Sequence, residues 1–288
     1  MKVGEVSKVV HSQSSALGNI NKRTKIKPIT KAMITIRLTI IMLAILTIYG
    51  FLTFDYKDIK LFDGILSTLA NFKVMFLEPH FVHFSFQDAI YQALVTMGLA
   101  LLTTLIGAFF ALILALFAAQ NLSSARVSNL IKGFVAFIRA VPTVLWVLIF
   151  AVAAGLGSVA AIIGMTFHSV GYLIKAYSES FEELDEGVIE ALRGSGASWW
   201  QIVFQAVLPT SLTYLVSWTF LRFEINFGVA IAMGAAAGAG GIGFDMFMAS
   251  SFYLDLREVG SITYFILFFA ILLEIIAQTI KSKLQVKI

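Results

Sequence analysis

Long apolar blocks separated by short polar segments dominate the chain, at about 38–54, 89–119, 134–153, 156–176, 210–237 and 260–280. Each block is apolar on every face instead of alternating, which in a membrane specifies helices and not a barrel. With their flanks the blocks approach or exceed the roughly 20 residues that a helix needs to cross the hydrocarbon core. The pattern predicts an all-α membrane protein of six transmembrane helices. Residues 55–88 are mixed and aromatic and predict an interfacial helix at most. The expected organisation is a basic cytoplasmic segment (1–37), a first helix with an external segment (38–88), a transmembrane core (89–280) and a short cytoplasmic tail (281–288).

Composition agrees with the pattern. Of 288 residues, 59% are hydrophobic and 13% charged, where a soluble domain carries about a quarter charged; the mean hydropathy is +0.88. The net charge of +4 reads here as Lys and Arg retained on the cytoplasmic side, and not as a nucleic-acid surface. Sixteen of the 21 Lys and Arg fall on the inner side if the N-terminus is cytoplasmic, and an even number of spans returns the C-terminus there. A cleaved signal peptide fits poorly, because the basic region is long and no small-x-small cleavage site follows. With no cysteine, disulfides, thiol nucleophiles and Cys-ligated metals are excluded.

The segment 176–209 is the most informative. It is too polar to span, and its ionisable residues are mostly acidic: Glu179, Glu182, Glu183, Asp185, Glu186 and Glu190 against Arg193. Helical spacing over 180–193 places Phe181, Leu184, Val188 and Ala191 on one face. Gly194, Ser195 and Gly196 break the run. A second short helix over 197–207 carries Trp200, Val203 and Val207, and Pro209 stands where a helix start tolerates a missing N–H. Two helices joined by a glycine turn make a knob below the membrane. The competing reading is a hairpin lying on lipid, anchored by Trp199 and Trp200, against which the carboxylates argue.

Glu190-Ala191-Leu192, followed by Gly196 and then Ala206-Val207-Leu208-Pro209, resembles the EAA loop of ABC importer permeases. That resemblance implies a type I importer permease fold and a coupling helix that docks on an ATPase. Gly194 lies in the same turn. Arg-Ala-Val-Pro at 139–142, Gly155-Leu156-Gly157, the stretch from His168 to Glu183, Arg-Phe-Glu-Ile-Asn at 222–226 and the glycines of 238–243 are similar to the phosphonate, phosphite and phosphate permeases. Members of that group usually carry an Arg two positions after the Asn226 equivalent, where this chain has Phe227-Gly228. The resemblance implies an ATPase dimer carrying ATP and magnesium, an extracytoplasmic solute-binding protein, a second permease copy in a homodimer, and a lipid environment. It implies no cofactor, metal or catalytic residue on this chain.

Arg222 and Glu224 are ionisable groups inside a predicted span, where charge is costly and marks an inward-facing or paired position. Two readings stand for them: a translocation path that also includes Arg139, Pro142, His168 and Asn226, or a pair that holds helices in register. Gly238, Gly240 and Gly243 match G-x-G-x-x-G, but they follow a membrane helix and not a strand, so an unwound turn or close helix packing is expected. His80 and His83 have no carboxylate or Cys partner at metal-ligand spacing, and packing among Phe76, Phe81, Phe84 and Phe86 is the simpler reading. No P-loop sequence occurs. A secondary carrier would show inverted repeats, and a membrane-embedded enzyme would need more converging polar residues than His168, Arg222 and Glu224. A permease for a different small solute remains the alternative within the family.

Overall fold

The computed structural model describes residues 30–53 and 60–285. The basic residues expected to hold the N-terminus inside fall mostly in 1–29, outside the described residues. The chain divides into two units, Met1–Leu61 and Phe62–Ile288.

The first unit contributes α1 (Lys31–Thr53), 23 residues with none buried, about 35 Å long at 1.5 Å per residue and sufficient to cross a bilayer. Thr35, Thr39, Thr47 and Thr53 donate their hydroxyls to the carbonyl four residues back, so no polar atom of theirs is left to face an apolar surrounding.

In the second unit the helices are α2 (Leu61–Leu77), α3 (Phe86–Ala118), α4 (Ala125–Ala140), α5 (Thr143–Ala154), α6 (Ser158–Glu182), α7 (Glu186–Gly194), α8 (Trp199–Ile202), α9 (Leu208–Ala237), α10 (Ile242–Phe247) and α11 (Leu256–Gln285). No strand occurs among the described residues. Within 55–88 the structure has one helix among the described residues before α3, namely α2. Among the described residues five helices are long and apolar enough to span, with α4 and α5 as a sixth if that bent pair counts as one crossing.

The predicted continuous span at 134–153 is corrected to that bent pair. Pro142 has no N–H and disfavours helical backbone at Val141, which is extended at φ −91° and ψ 124°. The two helices meet at 89°. One carbonyl released by the break, that of Ile138, accepts the Trp146 indole N–H at 3.0 Å, as a buried polar group requires.

Pro209 stands in the first turn of α9, at the helix start expected for it, but no break precedes that helix. A wide turn, Val203–Val207, runs directly into α9, and the Leu208 N–H reaches back to the Val203 carbonyl. Proline cannot donate to the preceding turn and its ring crowds the carbonyl there; the wide turn absorbs that misfit. Thr210 Oγ1 donates to the Ala206 carbonyl at 2.7 Å. Trp199–Ala237 is therefore one continuous helical span of 39 residues.

The glycine-rich stretch after α9 is both an unwound turn and a close packing. Gly238 caps α9 in the left-handed region. A Cβ on Gly243 would lie 1.9 Å from the Ile231 carbonyl oxygen, so α10 folds back on α9 backbone to backbone. Gly260 of α11 approaches α2 just as closely, 1.7 Å from the Met75 oxygen. Overpacking of this kind costs about 1–3 kcal/mol or more. Gly243→Ala is expected to lower the thermal midpoint of the detergent-purified protein by several degrees; an unchanged midpoint would show that the α9–α10 contact yields without cost.

The apolar core falls into two clusters. One contains Ala93, Ala100, Met165, Phe227, Ala230 and Met233. The other contains Ala111, Ala115, Leu173, Ile174, Val207 and Leu215. Along α3, α6 and α9 alike, a few polar residues separate the two.

Candidate functional site

Two features stand out: the hairpin that follows α6 and the polar layer between the two apolar clusters.

In the hairpin, α6 ends at Glu182 and Asp185 caps α7, accepting the Gly187 N–H at 2.8 Å. This break resets the helical phase, so the predicted single run over 180–193 is two helices. Ile189 is the buried residue of α7, while Val188, placed by the periodicity on the inner face, is exposed. The turn closes with the Gly196 N–H donating to the Arg193 carbonyl and the Ala197 N–H to the Leu192 carbonyl, both at 3.0 Å. Gly196 sits at φ +87°; this is the glycine-terminated C-cap arrangement that satisfies the last carbonyls of a helix. Ser198 and Gln201 then form a reciprocal capping box that starts α8.

The hairpin is fastened to the α3–α4 connection. Arg193 Nη2 donates to the Asn121 carbonyl and Trp199 Nε1 to the Leu122 carbonyl, both at 2.9 Å. Trp199 stacks on Phe117. Glu182 pairs with Lys132 at 2.8 Å and accepts the Gln120 N–H. Trp199 is thus held against the α3–α4 connection and the end of α3. A cavity of about 430 Å³ lies between the two elements, lined by Gln120, Asn121, Glu186, Glu190 and Arg193. Glu190, Ala191, Gly194, Gly196 and Pro209 are exposed and Leu208 is half-buried. The motif residues therefore form an outward-facing surface on a braced support.

The polar layer joins three helices. Arg222 of α9 is 3% exposed. Its Nε–H donates to Ser169 Oγ of α6 at 3.0 Å, and its guanidinium lies 5.0 Å from the centre of the Tyr172 ring. Asn226, fully buried, donates to the same Ser169 oxygen at 3.0 Å and to Thr104 Oγ1 of α3 at 2.8 Å. Arg222 Nη2 and His168 Nδ1 are buried with no hydrogen-bond partner among the described residues. Arg139 is exposed on the last turn of α4 beside the break at Pro142. With Lys175 and Glu179 it lines two cavities of about 250 and 180 Å³. Glu224 is half-buried two residues along α9. Gly228 points into open space.

The sequence did not single out Thr104, Ser169 or Tyr172; a lone hydroxyl in an apolar block carries no signal until α3, α6 and α9 are packed together. It also dismissed His80 and His83 for want of carboxylates, yet the fold brings Asp255 to His80 and Glu258 to His83, each at 2.7 Å.

The family described as "Binding-protein-dependent transport system inner membrane component" matches residues 107–285, a stretch that takes in the hairpin, all of α9 and, apart from Thr104, the polar layer. The chain belongs to this family. Among curated relatives, this family member is 28% identical over 236 residues to the phosphate-import permease protein PhnE of Mycolicibacterium smegmatis, covering 82% of this chain and 44% of that protein. It is 33% identical over 173 residues to the phosphite transport system permease protein PtxC of Stutzerimonas stutzeri, covering 60% of this chain and 62% of that one. The chain thus spans less than two thirds of either relative. The fold is shared with a chain of the MetNI methionine ABC transporter in an inward-facing conformation, at 21% identity and a TM-score of 0.60, over 68% of this chain and 95% of that one. The chain is therefore a multi-pass membrane protein with the type I importer fold, and the curated relatives are permease proteins of import or transport systems.

Proposed function

We propose that this permease is the membrane-spanning subunit of an ATP-driven importer for a small phosphorus oxyanion, with a phosphonate foremost and phosphite or phosphate next. The observation that carries the reading is Arg222: a buried guanidinium with an unmet donor, in a polar layer between two apolar clusters. An arginine at mid-membrane costs about 2.5–3.5 kcal/mol on insertion scales. Ser169 and the Tyr172 ring offset part of that, the ring by about 0.5–2 kcal/mol. The remaining N–H suits a tetrahedral oxyanion, which accepts hydrogen bonds from a guanidinium. One such donor also suits transit, because a path must hold its ion weakly enough to release it. The phosphate and phosphite permeases among the relatives support the same solute class.

The mechanism is alternating access. A partner ATPase dimer binds ATP and magnesium, and this chain supplies no catalytic group. Its hairpin, through Glu190, Ala191, Gly194, Gly196, Leu208 and Pro209, docks on the ATPase and passes closure to α6 and α9. Each chain has one hairpin and an ATPase dimer offers two docking sites, so the permease works as a homodimer. A solute-binding protein delivers the anion at the opposite end, and both termini face the cytoplasm of the cell that carries it. Pro142, Asn226 and Glu224 shape the path with His168 and the two arginines.

Uptake of labelled phosphate by cells expressing the chain with its genomic neighbours, competed by methylphosphonate and by phosphite, tests the assignment. Strong competition with weak phosphate uptake is expected. ATP-dependent phosphate uptake indifferent to both competitors would assign phosphate itself, and no uptake of any of the three would overturn the oxyanion class.

A further inference from the structure

At the end of the bundle away from the hairpin, two segments nearly 180 residues apart in sequence are clasped together. The α2–α3 turn carries His80-x-x-His83, and the turn into α11 carries Asp255-x-x-Glu258. The equal spacing lets the two pairs meet in register. His80 Nε2 lies 2.7 Å from Asp255 Oδ2, and His83 Nδ1 lies 2.7 Å from Glu258 Oε2.

Each carboxylate has one oxygen committed to the backbone and the other presented to an imidazole nitrogen. Glu258 Oε1 accepts the N–H groups of Val82, His83 and Phe84 at 3.0, 2.7 and 3.2 Å. Asp255 Oδ1 accepts those of Arg257 and Glu258 at 3.0 and 3.3 Å. His83 is fixed by stacking on Tyr253, with ring centres 3.7 Å apart and planes within 2°. Outer hydrogen bonds that orient ligating groups in this way are a usual part of metal sites. Ligand atoms of His83, Asp255 and Glu258 all lie within 4.8 Å of one another. Leu254, just before Asp255, is held at φ +52°, a conformation costly to a non-glycine residue and kept only where the surroundings enforce it.

We propose that His83, Asp255 and Glu258, with His80 as the outer hydrogen-bond partner that orients Asp255, bind one divalent transition-metal ion of the zinc class. The charges balance, since two carboxylates and a neutral imidazole around a divalent cation sum to zero. Mixed imidazole and carboxylate ligands favour zinc-class ions over magnesium or calcium, which take oxygen shells. Glu258 is fully buried, and a buried carboxylate calls for a positive partner. His83 comes from one segment and the two carboxylates from the other, so the ion would staple the entry of α3 to the start of α11. This inference does not depend on which solute is carried.

The test is zinc titration of the tag-free full chain in lipid nanodiscs, read by metal content after dialysis and by the thermal midpoint. One zinc per chain and a metal-dependent rise in midpoint are expected. His83→Phe keeps a ring against Tyr253 while removing a ligand, and His80→Ala, at a half-exposed position, removes the outer partner that orients Asp255. Each should weaken binding about 10–100-fold and abolish the metal-dependent rise, whereas His11→Ala keeps both. The proposal is overturned if the unaltered chain retains no stoichiometric zinc, if magnesium competes at equal concentration, or if His80→Ala and His83→Phe bind as the unaltered chain does. Should His83→Phe fail to fold, His80→Ala alone decides.

Discussion

Gly196→Asp and Glu190→Lys each reduce ATP-driven uptake to background while the chain still inserts in the membrane. At φ +87° a non-glycine residue bears a backbone cost of about 1–2 kcal/mol, and a Cβ there meets no atom within 4 Å. The fold therefore survives, and what changes is the tip of the hairpin, where a charged side chain stands in the way of an approaching partner. Glu190 is exposed and lines the cavity shared with Glu186 and Arg193. Lysine there reverses the sign of the docking face without touching the Arg193–Asn121 or Trp199–Leu122 hydrogen bonds. Uptake in whole cells, beside the amount of chain in the membrane fraction, reads both effects. Normal uptake by both variants would remove the hairpin from the coupling role.

Arg222→Met lowers uptake at least tenfold and leaves the thermal midpoint unchanged or higher. Replacing a buried charge by an apolar side chain of similar length is often neutral or stabilising, because the desolvation cost disappears. The substitution leaves Asn226 and Thr104 hydrogen-bonded to each other and removes one of the two donors that Ser169 Oγ accepts. The two readings of Arg222 then separate cleanly. A translocation role predicts lost transport with retained stability; a purely structural role predicts lost stability with transport proportional to the surviving protein. A midpoint drop of several degrees with unimpaired uptake per folded molecule would sink the path assignment.

How much of this was legible in the sequence depends on the range of the interaction. The spans could be read because burial in lipid demands apolar residues on every face, a signal carried by each segment alone. The hairpin could be read for the same reason: Gly196, the Ser198–Gln201 box and the acidic run are local. Hydropathy missed the break at Pro142, since Thr143–Ala154 is as apolar as a straight continuation would be. It misplaced the buried face of α7 because the Asp185 cap restarts the helix one residue out of phase, turning Ile189 inward in place of Val188. The partners of Arg222 and of the two histidines were out of reach. Ser169 is 53 residues from Arg222, and Glu258 is 175 from His83. Only packing brings them together.

The unbroken run from Trp199 to Ala237 has a mechanical corollary. At 1.5 Å per residue its 39 residues make a rod of about 58 Å, longer than the bilayer core is thick. One end is seated in the hairpin and the other stops at the left-handed glycine, Gly238. Pivoted near its base, such a rod converts a tilt of about 5° into a displacement of about 5 Å at the far end. A small stroke is thereby geared up, with the wide turn at Val203–Val207 as the one point where the shaft can slip in register.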